Sequence, residues 1–287
     1  MATAYKSVTL VGKPTDPRMS EFLHDKARLL QGYGVSVTIE ADTAEKLSIT
    51  DLPRIALTEI GDVSDLVVVL GGDGTMLSMA RALLDAEVPL VGINHGRLGF
   101  LTDLTNDHIS QVIKQLLQGE YTAEKRMLLG AEIYRNGHLL STARALNDIV
   151  ISKGGLARLI ELELTIDGNF VHRQRSDGLI SSTPTGTTAY ALSAGGPLLH
   201  PTLEAITLVP ICPHTLSNRP IAIDSRSVVE VTLVQADDAR VHFDGQLHAE
   251  LLEGDRVVVK RLEKCITLLH PPGHSHYEVL REKLNWG

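Results

Sequence analysis

The sequence predicts two domains in succession, an α/β domain with a doubly wound parallel sheet and then a β-rich domain. The first observation is the apolar run Leu66–Leu70, which is typical of a strand buried on both faces of a parallel sheet. The second is the alternation of strand and helix patterns over residues 1–122, which favours parallel strands joined by crossover helices. The third is a change to alternating apolar and polar residues from residue 123, which indicates antiparallel strands.

The elements of the first domain are predicted from apolar periodicity, with glycine and proline marking their ends. Strands are expected at 8–12, 35–39, Leu66–Leu70 and 89–94, and helices at 20–30, 76–84 and 105–119. Thr75 is the expected N-cap of the middle helix, and Thr105, Asn106 and Asp107 are expected to cap the last one.

The second domain contains two hairpin signals, each an Asx-Gly turn between two apolar segments. The segments are 128–134 and 139–145 around Asn136-Gly137, and 159–166 and 170–175 around Asp167-Gly168. Further strands are expected at 228–235, 240–243 and 256–261. The expected domains are therefore 1–122, the α/β domain, 123–272, the β-rich domain, and 273–287, a C-terminal tail that returns to the first domain.

Composition narrows the class of protein. The chain has 287 residues, of which 43% are hydrophobic and 22% charged, as in a soluble globular protein, and its net charge of −8 disfavours a duplex-binding surface. Aromatic residues make up 4%, which disfavours a base-stacking platform for single-stranded nucleic acid. The sequence shows neither a signal peptide nor an apolar run of about 18 residues, so no membrane partner is expected. Cys212 and Cys265 lack metal-site spacing and are expected to be reduced thiols in the cytoplasm.

The turn after the buried strand reads Gly71-Gly72-Asp73-Gly74 and leads into a helix. It places Asp73 at the carboxyl end of a strand, where open α/β sheets bind their ligands. The glycines let a ligand approach the backbone, and a helix N-terminus favours phosphate. A carboxylate there repels phosphate unless a cation or a transferable proton is present, so the turn indicates metal-assisted or proton-abstracting chemistry on a nucleotide. The alternative is a tight turn with a capping acid. Neither a G-x-G-x-x-G fingerprint nor a P-loop occurs in the sequence.

Three further stretches combine small and polar residues. The first, 94–102, follows the next strand at the same sheet edge and is either the wall of a crevice or an ordinary loop. The second, Asn147-Asp148, interrupts an apolar strand, and structural hydrogen bonding and recognition of ligand hydroxyls are equally open for it. The third, 176–197, either contains a short helix at 187–193 whose hydroxyls hold ribose or phosphate oxygens, or is a plain Ser/Thr-rich loop.

Three histidines near the end of the chain, His270, His274 and His276, are candidate metal ligands by residue type. Their irregular Pro-Pro-Gly setting favours solvated side chains instead.

Taken together, these stretches resemble the NAD kinase family over essentially the whole chain. The motifs that carry the resemblance are GGDGT at 71–75, NHGRLGF at 94–100, Asn147-Asp148, the stretch 176–190 with 195–197, and 212–217 with Arg219-Pro220. The GGDG turn is shared with lipid kinases and phosphofructokinase-like enzymes. The order Asn-Asp, Ser-Asp-Gly and Thr-Pro-Thr-Gly-Thr-Thr-Ala-Tyr is highly specific.

The resemblance implies an enzyme that transfers the γ-phosphoryl group of ATP to the 2′-hydroxyl of the adenosine ribose of NAD, which makes NADP. It also implies a divalent cation, usually Mg²⁺, and a homo-oligomer, often a homotetramer. In the family, NAD binds in a crevice between the two domains, and a neighbouring subunit contributes to the site.

The resemblance also implies roles for the matching residues. Asp73 is expected to be catalytic, either as the base that takes the proton of the 2′-hydroxyl or as a group that orients this hydroxyl or the water bound to Mg²⁺. Asn147 and Asp148 are expected to hold the ribose hydroxyls of the adenosine or the nicotinamide side. The residues expected to bind NAD are Asp73, Gly74, Phe100, Asn147, Asp148, Arg158, Arg175, Asp177, Thr188, Ala189, Tyr190, Ser193 and Gln246. Ser78 stands where many family members have a basic residue, and the sequence assigns neither metal ligands nor contacts to the phosphates of ATP.

Two other functions fit parts of the sequence. A lipid kinase of the same wider superfamily would share the GGDG turn, but this acidic chain shows no basic amphipathic helix for a membrane surface. A non-catalytic, NAD(P)-responsive sensor could keep the fold but would not need Asp73. NAD binding without ATP-dependent turnover would favour the sensor.

Overall fold

The computed structural model describes residues 4–94, 99–102, 104, 109–155, 158–215 and 217–286. The chain divides into two compact units. The first unit combines residues 1–125 with residues 264–287, and the second unit consists of residues 126–263.

The first unit contains a parallel sheet with helices in the connections. Its elements are β1 (Ser7–Gly12), α1 (Met19–Gly32), β2 (Ser36–Glu40), α2 (Ala41–Lys46), β3 (Arg54–Ile55), α3 (Ile60–Val63), β4 (Leu66–Leu70), α4 (Asp73–Ala82), β5 (Leu90–Ile93) and α5 (Ile109–Leu117). The strand order is β5-β4-β1-β2-β3, and all neighbouring strands are parallel. The strand that follows β1 lies on one side of the central pair β1-β4, and the strand that follows β4 lies on the other side. The place between β1 and β4 is therefore the switch point of a doubly wound sheet.

Apolar periodicity explains why these segments form their elements. Every residue of β4 is buried, as expected for a central strand covered on both faces. On α5, Ile109, Ile113, Leu116 and Leu117 are buried at helical spacing, so one stripe of the helix faces the core.

The predicted elements of this unit are confirmed, apart from one cap. The strand Leu66–Leu70 is found with the predicted bounds. Thr75 is not the N-cap of α4, because the helix already begins at Asp73 with Gly72 as its cap. The glycine-rich turn causes this earlier start, since the amide of Thr75 already donates to the carbonyl of Gly72 at 3.0 Å. The predicted caps at 105–107 lie outside the described residues.

The second unit is built from antiparallel strands. Its elements are β6 (Thr122–Arg135), β7 (His138–Ala145), β8 (Asp148–Lys153), β9 (Ile160–Ile166), β10 (Asn169–Ser176), β11 (Gly178–Ser182), α6 (Tyr190–Ser193), β12 (Ala205–Ile211), β13 (Ile221–Asp224), β14 (Val229–Gln235), β15 (Ala239–Phe243), β16 (Leu247–Leu251) and β17 (Arg256–His270), where β6 begins and β17 ends in the first unit. One sheet has the order β13-β12-β11-β8-β15-β16. The other contains β10-β9-β14-β17, with β6 paired to β17 and β7 paired to β6.

Both predicted hairpins are confirmed as β6–β7 and β9–β10. Their turn residues have positive φ, 52° and 79° at Asn136 and Gly137, and 51° and 75° at Asp167 and Gly168. Two consecutive left-handed residues match the twist of a two-residue hairpin, and Asx-Gly is the pair that tolerates them best.

The strand β17 takes part in both units. Residues 256–259 pair with β14, and Leu268 pairs in parallel with Leu90 of β5. The chain then ends in α7 (His276–Leu284). Within the described residues, no helix is long and apolar enough to span a membrane.

Candidate active site

The glycine-rich turn after β4 presents Asp73 as the first residue of α4. The Asp73 carboxylate accepts hydrogen bonds from the backbone amides of Phe100 and Leu101, at 2.8 and 3.0 Å, and from the hydroxyl of Thr102 at 3.1 Å. The positive end of the helix also stabilises a carboxylate at this position. A carboxylate offers about four lone-pair positions, and the residues that the structure describes occupy three of those of Asp73.

Gly99 leaves the space that the Asp73 carboxylate occupies. A Cβ at Gly99 would lie 2.0 Å from Asp73 Oδ1 and 2.3 Å from the hydroxyl oxygen of Thr102. Any side chain at Gly99 would therefore displace Asp73 from its hydrogen bonds.

A crevice of about 260 Å³ opens beside this turn. Its lining consists of Lys13, Asp16, Arg18, Met19, Gly71, Gly72 and Asn94. The crevice lies at the carboxyl ends of β1 and β4, where the opposite directions of the following connections open a doubly wound sheet. Lys13 and Arg18 are not among the residues predicted from the sequence. Both lie in the loop between β1 and α1, and this position, together with the strand order, is the signal that could have indicated them.

Asn147 and Asp148 do not interrupt a strand, contrary to the prediction. Asn147 lies in a bend after β7, and Asp148 begins β8. The carboxylate of Asp244 accepts the backbone amides of Leu146, Asn147 and Asp148 at 3.0, 2.7 and 3.2 Å. Three consecutive amides are thus satisfied by one side chain instead of a neighbouring strand, which fixes the bend.

The Thr-Pro-Thr-Gly segment packs on the same bend. The amide of Thr183 donates to the carbonyl of Asn147 at 2.9 Å, and its hydroxyl donates to the carbonyl of Leu146 at 2.5 Å. A Cβ at Gly186 would lie 2.1 Å from the carbonyl oxygen of Asn147, so only glycine fits there. The hydroxyl of Thr187 donates to a carbonyl of its own segment at 2.7 Å. The hydroxyls of Thr183 and Thr187 therefore hold the segment in place.

The predicted helix at 187–193 is divided into two shorter elements. A 3₁₀ turn covers Thr185–Thr188, and α6 follows from Tyr190. Ala189 separates them, because its φ of −101° and ψ of −130° lie outside the helical region.

The second unit contains a cavity of about 390 Å³, within the size range of small-molecule sites. Four of the predicted NAD-binding residues line it, namely Asn147, Asp148, Ala189 and Tyr190. The rest of the described lining consists of residues that were not predicted from the sequence, namely Val150, Ser152, His242, Asp244 and Gly245. Asp-Gly at 244–245 is a turn signal between two alternating segments, but such a signal does not reveal what the turn contacts.

The carboxyl group of Asp148 is a buried polar group in the lining of the cavity. Asp148 is 4% exposed, and its side chain accepts no hydrogen bond from the residues that the structure describes. Burial and then the nearby charge of Asp244 raise the pKa of Asp148 to about 7. Burial also lowers the pKa of His242 and raises that of Tyr190. The cavity therefore contains a carboxyl group that exchanges its proton near neutral pH.

The other predicted NAD-binding residues of this unit are not among the described residues that line the cavity. Arg158, Arg175, Ser193 and Gln246 are exposed, whereas Asp177 and Thr188 are half-buried. Asp177 forms an ion pair with Lys153 at 3.0 Å, and the hydroxyl of Thr188 donates to the carbonyl of Thr185 at 3.2 Å. In the first unit, Phe100 contacts Asp73 through its amide, and Gly74 is exposed in the first turn of α4.

The C-terminal histidines are not the solvated group that the sequence predicts. His270 is 2% exposed, and its ring stacks on that of His274 with centroids 4.0 Å apart and planes inclined by 13°. With Glu124 they form a cluster whose potential ligand atoms lie within 4.8 Å of one another. A histidine nitrogen binds a metal ion through a lone pair that lies in the plane of its ring. Because the two rings are stacked and nearly parallel, one ion cannot lie in both ring planes unless a ring rotates. This geometry fits packed side chains better than a metal centre.

Comparison with known proteins gives the family. The family model described as the ATP-NAD kinase N-terminal domain matches residues 8–121, and that of the C-terminal domain matches residues 146–270. The chain belongs to the NAD kinase family. The NAD kinase of Thiobacillus denitrificans is 55% identical over 287 residues, which cover 100% of this chain and 99% of the relative. The NAD kinase of Aromatoleum aromaticum is 49% identical over 287 residues, which cover 100% and 96% of the two chains.

Solved structures of NAD kinases confirm the predicted fold class. Yeast NADH kinase complexed with NADH is similar with a TM-score of 0.89 and 25% identity, over 98% of this chain and 88% of that chain. An NAD kinase from Archaeoglobus fulgidus in complex with ATP is similar with a TM-score of 0.74 and 27% identity, over 97% of this chain and 98% of that chain.

Proposed function

We propose that this protein phosphorylates the 2′-hydroxyl of the adenosine ribose of NAD, with ATP as the donor, and so makes NADP. Curated relatives that match the whole chain are named NAD kinase, and one similar structure contains ATP. The observation that carries the proposal is Asp73, a half-buried carboxylate held by three hydrogen bonds from described residues, beside a crevice that contains Lys13 and Arg18.

In this reaction Asp73 acts as the general base. It accepts the proton of the 2′-hydroxyl while the hydroxyl oxygen attacks the γ-phosphorus of ATP. The bond from the γ-phosphorus to the bridging oxygen breaks, and ADP leaves with the electron pair of that bond. The hydrogen bonds from Phe100, Leu101 and Thr102 orient the base, because they fix both carboxylate oxygens.

The phosphates of ATP bind in the crevice next to the turn. Lys13 and Arg18 supply positive charge, and the N-terminus of α4 adds the positive end of a helix. The carboxylate of Asp16, which lines the crevice, would hold a divalent cation such as Mg²⁺, because proteins bind this ion through one or two carboxylates and the phosphates of the substrate. When bound, this cation neutralises charge on the phosphates during transfer.

NAD binds to the second unit through the cavity around Asn147 and Asp148. The buried carboxyl group of Asp148 lacks a hydrogen-bond donor among the described residues, and the hydroxyls of a ribose supply one. Ala189 and Tyr190 line the same cavity. The residues proposed as further contacts are Gly74, Phe100, Arg158, Arg175, Asp177, Thr188, Ser193 and Gln246.

We also propose that the enzyme is a cytoplasmic homotetramer. Cys212 and Cys265 are free thiols, which suits a reducing compartment. Light scattering of the purified protein should give four times the subunit mass of 31.2 kDa. A monomer mass would contradict the tetramer and leave the kinase activity to its own test.

The decisive experiment measures NADP formation from NAD and ATP with Mg²⁺, coupled to an NADP-specific dehydrogenase. Asp73→Asn should retain NAD binding and lose most of its turnover, because the amide cannot accept the proton. A variant with near wild-type turnover would show that Asp73 is not the base. Asn147→Ala should raise KM for NAD more than KM for ATP, and an equal change in both would remove its assigned role. Binding of NAD with no turnover from ATP would instead indicate a sensor.

A further inference from the structure

We propose that Asn94 is a positioning residue for the base: its side-chain amide holds the hydroxyl of Thr102 as a donor to Asp73 and so keeps the carboxylate in its reactive orientation. This inference rests on the proposed function, in which Asp73 takes the proton of the 2′-hydroxyl. It adds a residue of the crevice that acts on the base through a second side chain.

The first step is the chain of hydrogen bonds behind Asp73. The side-chain nitrogen Nδ2 of Asn94 donates to Oγ1 of Thr102 at 3.1 Å, and this hydroxyl donates to Oδ1 of Asp73 at 3.1 Å. The amide of Leu101 donates to the same carboxylate oxygen at 3.0 Å, whereas the amide of Phe100 donates to Oδ2 at 2.8 Å. Of the described donors, two therefore fix Oδ1 and one fixes Oδ2, so Thr102 contributes to the more firmly held oxygen.

The direction of this chain follows from the chemistry of its members. An ionised carboxylate accepts hydrogen bonds and donates none, so the single proton of the Thr102 hydroxyl points towards Asp73. The oxygen of that hydroxyl then accepts from Asn94, whose amide supplies the donor through its NH₂ group. A hydroxyl turned towards Asn94 would bring two donors face to face. Asn94 therefore keeps the proton of Thr102 directed at the base.

Thr102 has little freedom to leave this position. It is 0% exposed, and a Cβ at Gly92 would lie 2.8 Å from its methyl carbon Cγ2. Gly92 on β5 therefore provides the space in which this methyl group lies. Because χ1 of a β-branched residue has few allowed values, the packing of the methyl group also decides where the hydroxyl points.

Asn94 itself is fixed at the edge of the crevice. It follows the last residue of β5, and its backbone amide donates to the carbonyl of Leu104 at 2.8 Å, next to the bridge between Ile93 and Leu104. Asn94 also lines the crevice together with Lys13. The same residue therefore borders the place proposed for the phosphates of ATP and, through Thr102, the base.

The experiment is a double-mutant cycle on kcat, measured as NADP formation at saturating NAD and ATP. Thr102→Val removes the hydroxyl with little change in shape and should lower kcat about tenfold or more, because the base loses one of its donors. Asn94→Ala should lower kcat about fivefold, because the hydroxyl is no longer held in one direction. If Asn94 acts through Thr102, Asn94→Ala should lower kcat by less than about twofold in the Thr102→Val enzyme.

Two controls separate positioning from folding. Thr102→Ser keeps the hydroxyl and loses the methyl group, so it should retain kcat within about threefold even if thermal unfolding occurs at a lower temperature. Thr9→Val removes a buried hydroxyl of the same sheet and should leave kcat unchanged. The partners of this hydroxyl are Thr38 and Ser64, at 2.8 and 2.6 Å.

Asn94→Asp tests the direction of the chain. The new carboxylate has nearly the shape of the amide but cannot donate, and it competes with Asp73 for the proton of Thr102. It should therefore lower kcat more than Asn94→Ala does, whereas a residue with a purely structural role would tolerate the isosteric change better. Direct repulsion of the phosphates would persist in the Thr102→Val enzyme, but an effect that acts through the hydroxyl should largely disappear there.

Independent, multiplicative effects of Asn94→Ala and Thr102→Val on kcat would overturn the inference, as would a Thr102→Val enzyme with wild-type kcat. Both results need a wild-type enzyme that makes NADP, so they leave the proposed function intact. If the wild-type protein makes no NADP, the proposed function fails. Thermal unfolding of the same four proteins then tests the chain of hydrogen bonds, and decreases in unfolding temperature that simply add would overturn it.

Discussion

Replacing Gly99 by alanine tests whether the position of Asp73 controls turnover. The new Cβ would lie 2.0 Å from Asp73 Oδ1, whereas ordinary contact begins at 3.4 Å, so the carboxylate must retreat by about 1.4 Å. Its hydrogen bonds to Phe100, Leu101 and Thr102 are 2.8 to 3.1 Å long, and such a shift carries them beyond hydrogen-bonding range.

Two magnitudes follow from this displacement. A hydrogen bond to a charged group contributes about 1.5–3 kcal/mol, but a half-buried carboxylate recovers part of this from water. We therefore expect the free energy of unfolding to fall by about 2 kcal/mol, which is well below three full hydrogen bonds. A reacting group misplaced by about 1 Å can cost about a hundredfold in rate, so kcat/KM should fall at least that far.

The assay is NADP formation at varied NAD and ATP, with thermal unfolding measured on the same samples. Gly32→Ala is the matched control, because a Cβ at Gly32 meets nothing within 4 Å at the end of α1. It should keep wild-type activity. A Gly99→Ala enzyme within about threefold of wild-type kcat/KM would refute the argument that the hydrogen bonds around Asp73 position the base.

Three further substitutions test other parts of the structure. Gly186→Ala places a Cβ 2.1 Å from the carbonyl oxygen of Asn147 and should shift the bend at Asn147. Binding titrations should then show at least about tenfold weaker NAD binding. Unchanged affinity would contradict the proposal that this bend positions residues that bind NAD. Lys13→Met should raise KM for ATP about tenfold with KM for NAD unchanged in steady-state kinetics, and equal effects would argue against a phosphate contact. Arg135→Met removes the partner of Asp255, whose side chain is 0% exposed and accepts two hydrogen bonds from Arg135 at 2.8 and 2.7 Å. Denaturant unfolding at pH 7 should show a loss of about 3 kcal/mol.

The ion pair of Asp255 also predicts a pH dependence. Burial acts to raise the pKa of Asp255, but the hydrogen bonds from Arg135 and from the amide of Leu252, together with the positive charge of Arg135, outweigh it, and the pKa is lowered. The stabilisation is therefore present above the ordinary pKa of aspartate, near 4, and is lost as the pH falls through the lowered value. The difference between wild type and Arg135→Met should shrink below about pH 4, and a constant difference would contradict this assignment.

Local signals allowed most of the fold to be predicted from sequence. The strand Leu66–Leu70 is apolar throughout because both faces are covered, and the Asx-Gly turns specify their hairpins within a few residues. Thr75 was misassigned because a threonine before a helical pattern looks like a cap, whereas the preceding glycines let the helix begin three residues earlier, at Asp73.

The candidate site could be predicted only in part, because its key contacts join distant residues. Asp244 holds the bend at Asn147 from 97 residues away, and no local pattern reports such a pairing. Lys13 reaches the glycine-rich turn only because β1 pairs with β4, a result of strand order. The motif around Gly186 was visible in sequence, but its packing against Asn147 requires the fold.

The discontinuity of the first unit has a consequence for how a nascent chain matures. The ribosome releases residues 126–263 before residues 264–287, so the inserted unit can close its sheets while β5 still lacks its partner Leu268. The first unit begins with the residues that are synthesised first, but it is completed last, because it also needs residues 264–287. A chain that stops near residue 263 should therefore be digested by proteases within residues 1–125, while the inserted unit resists them.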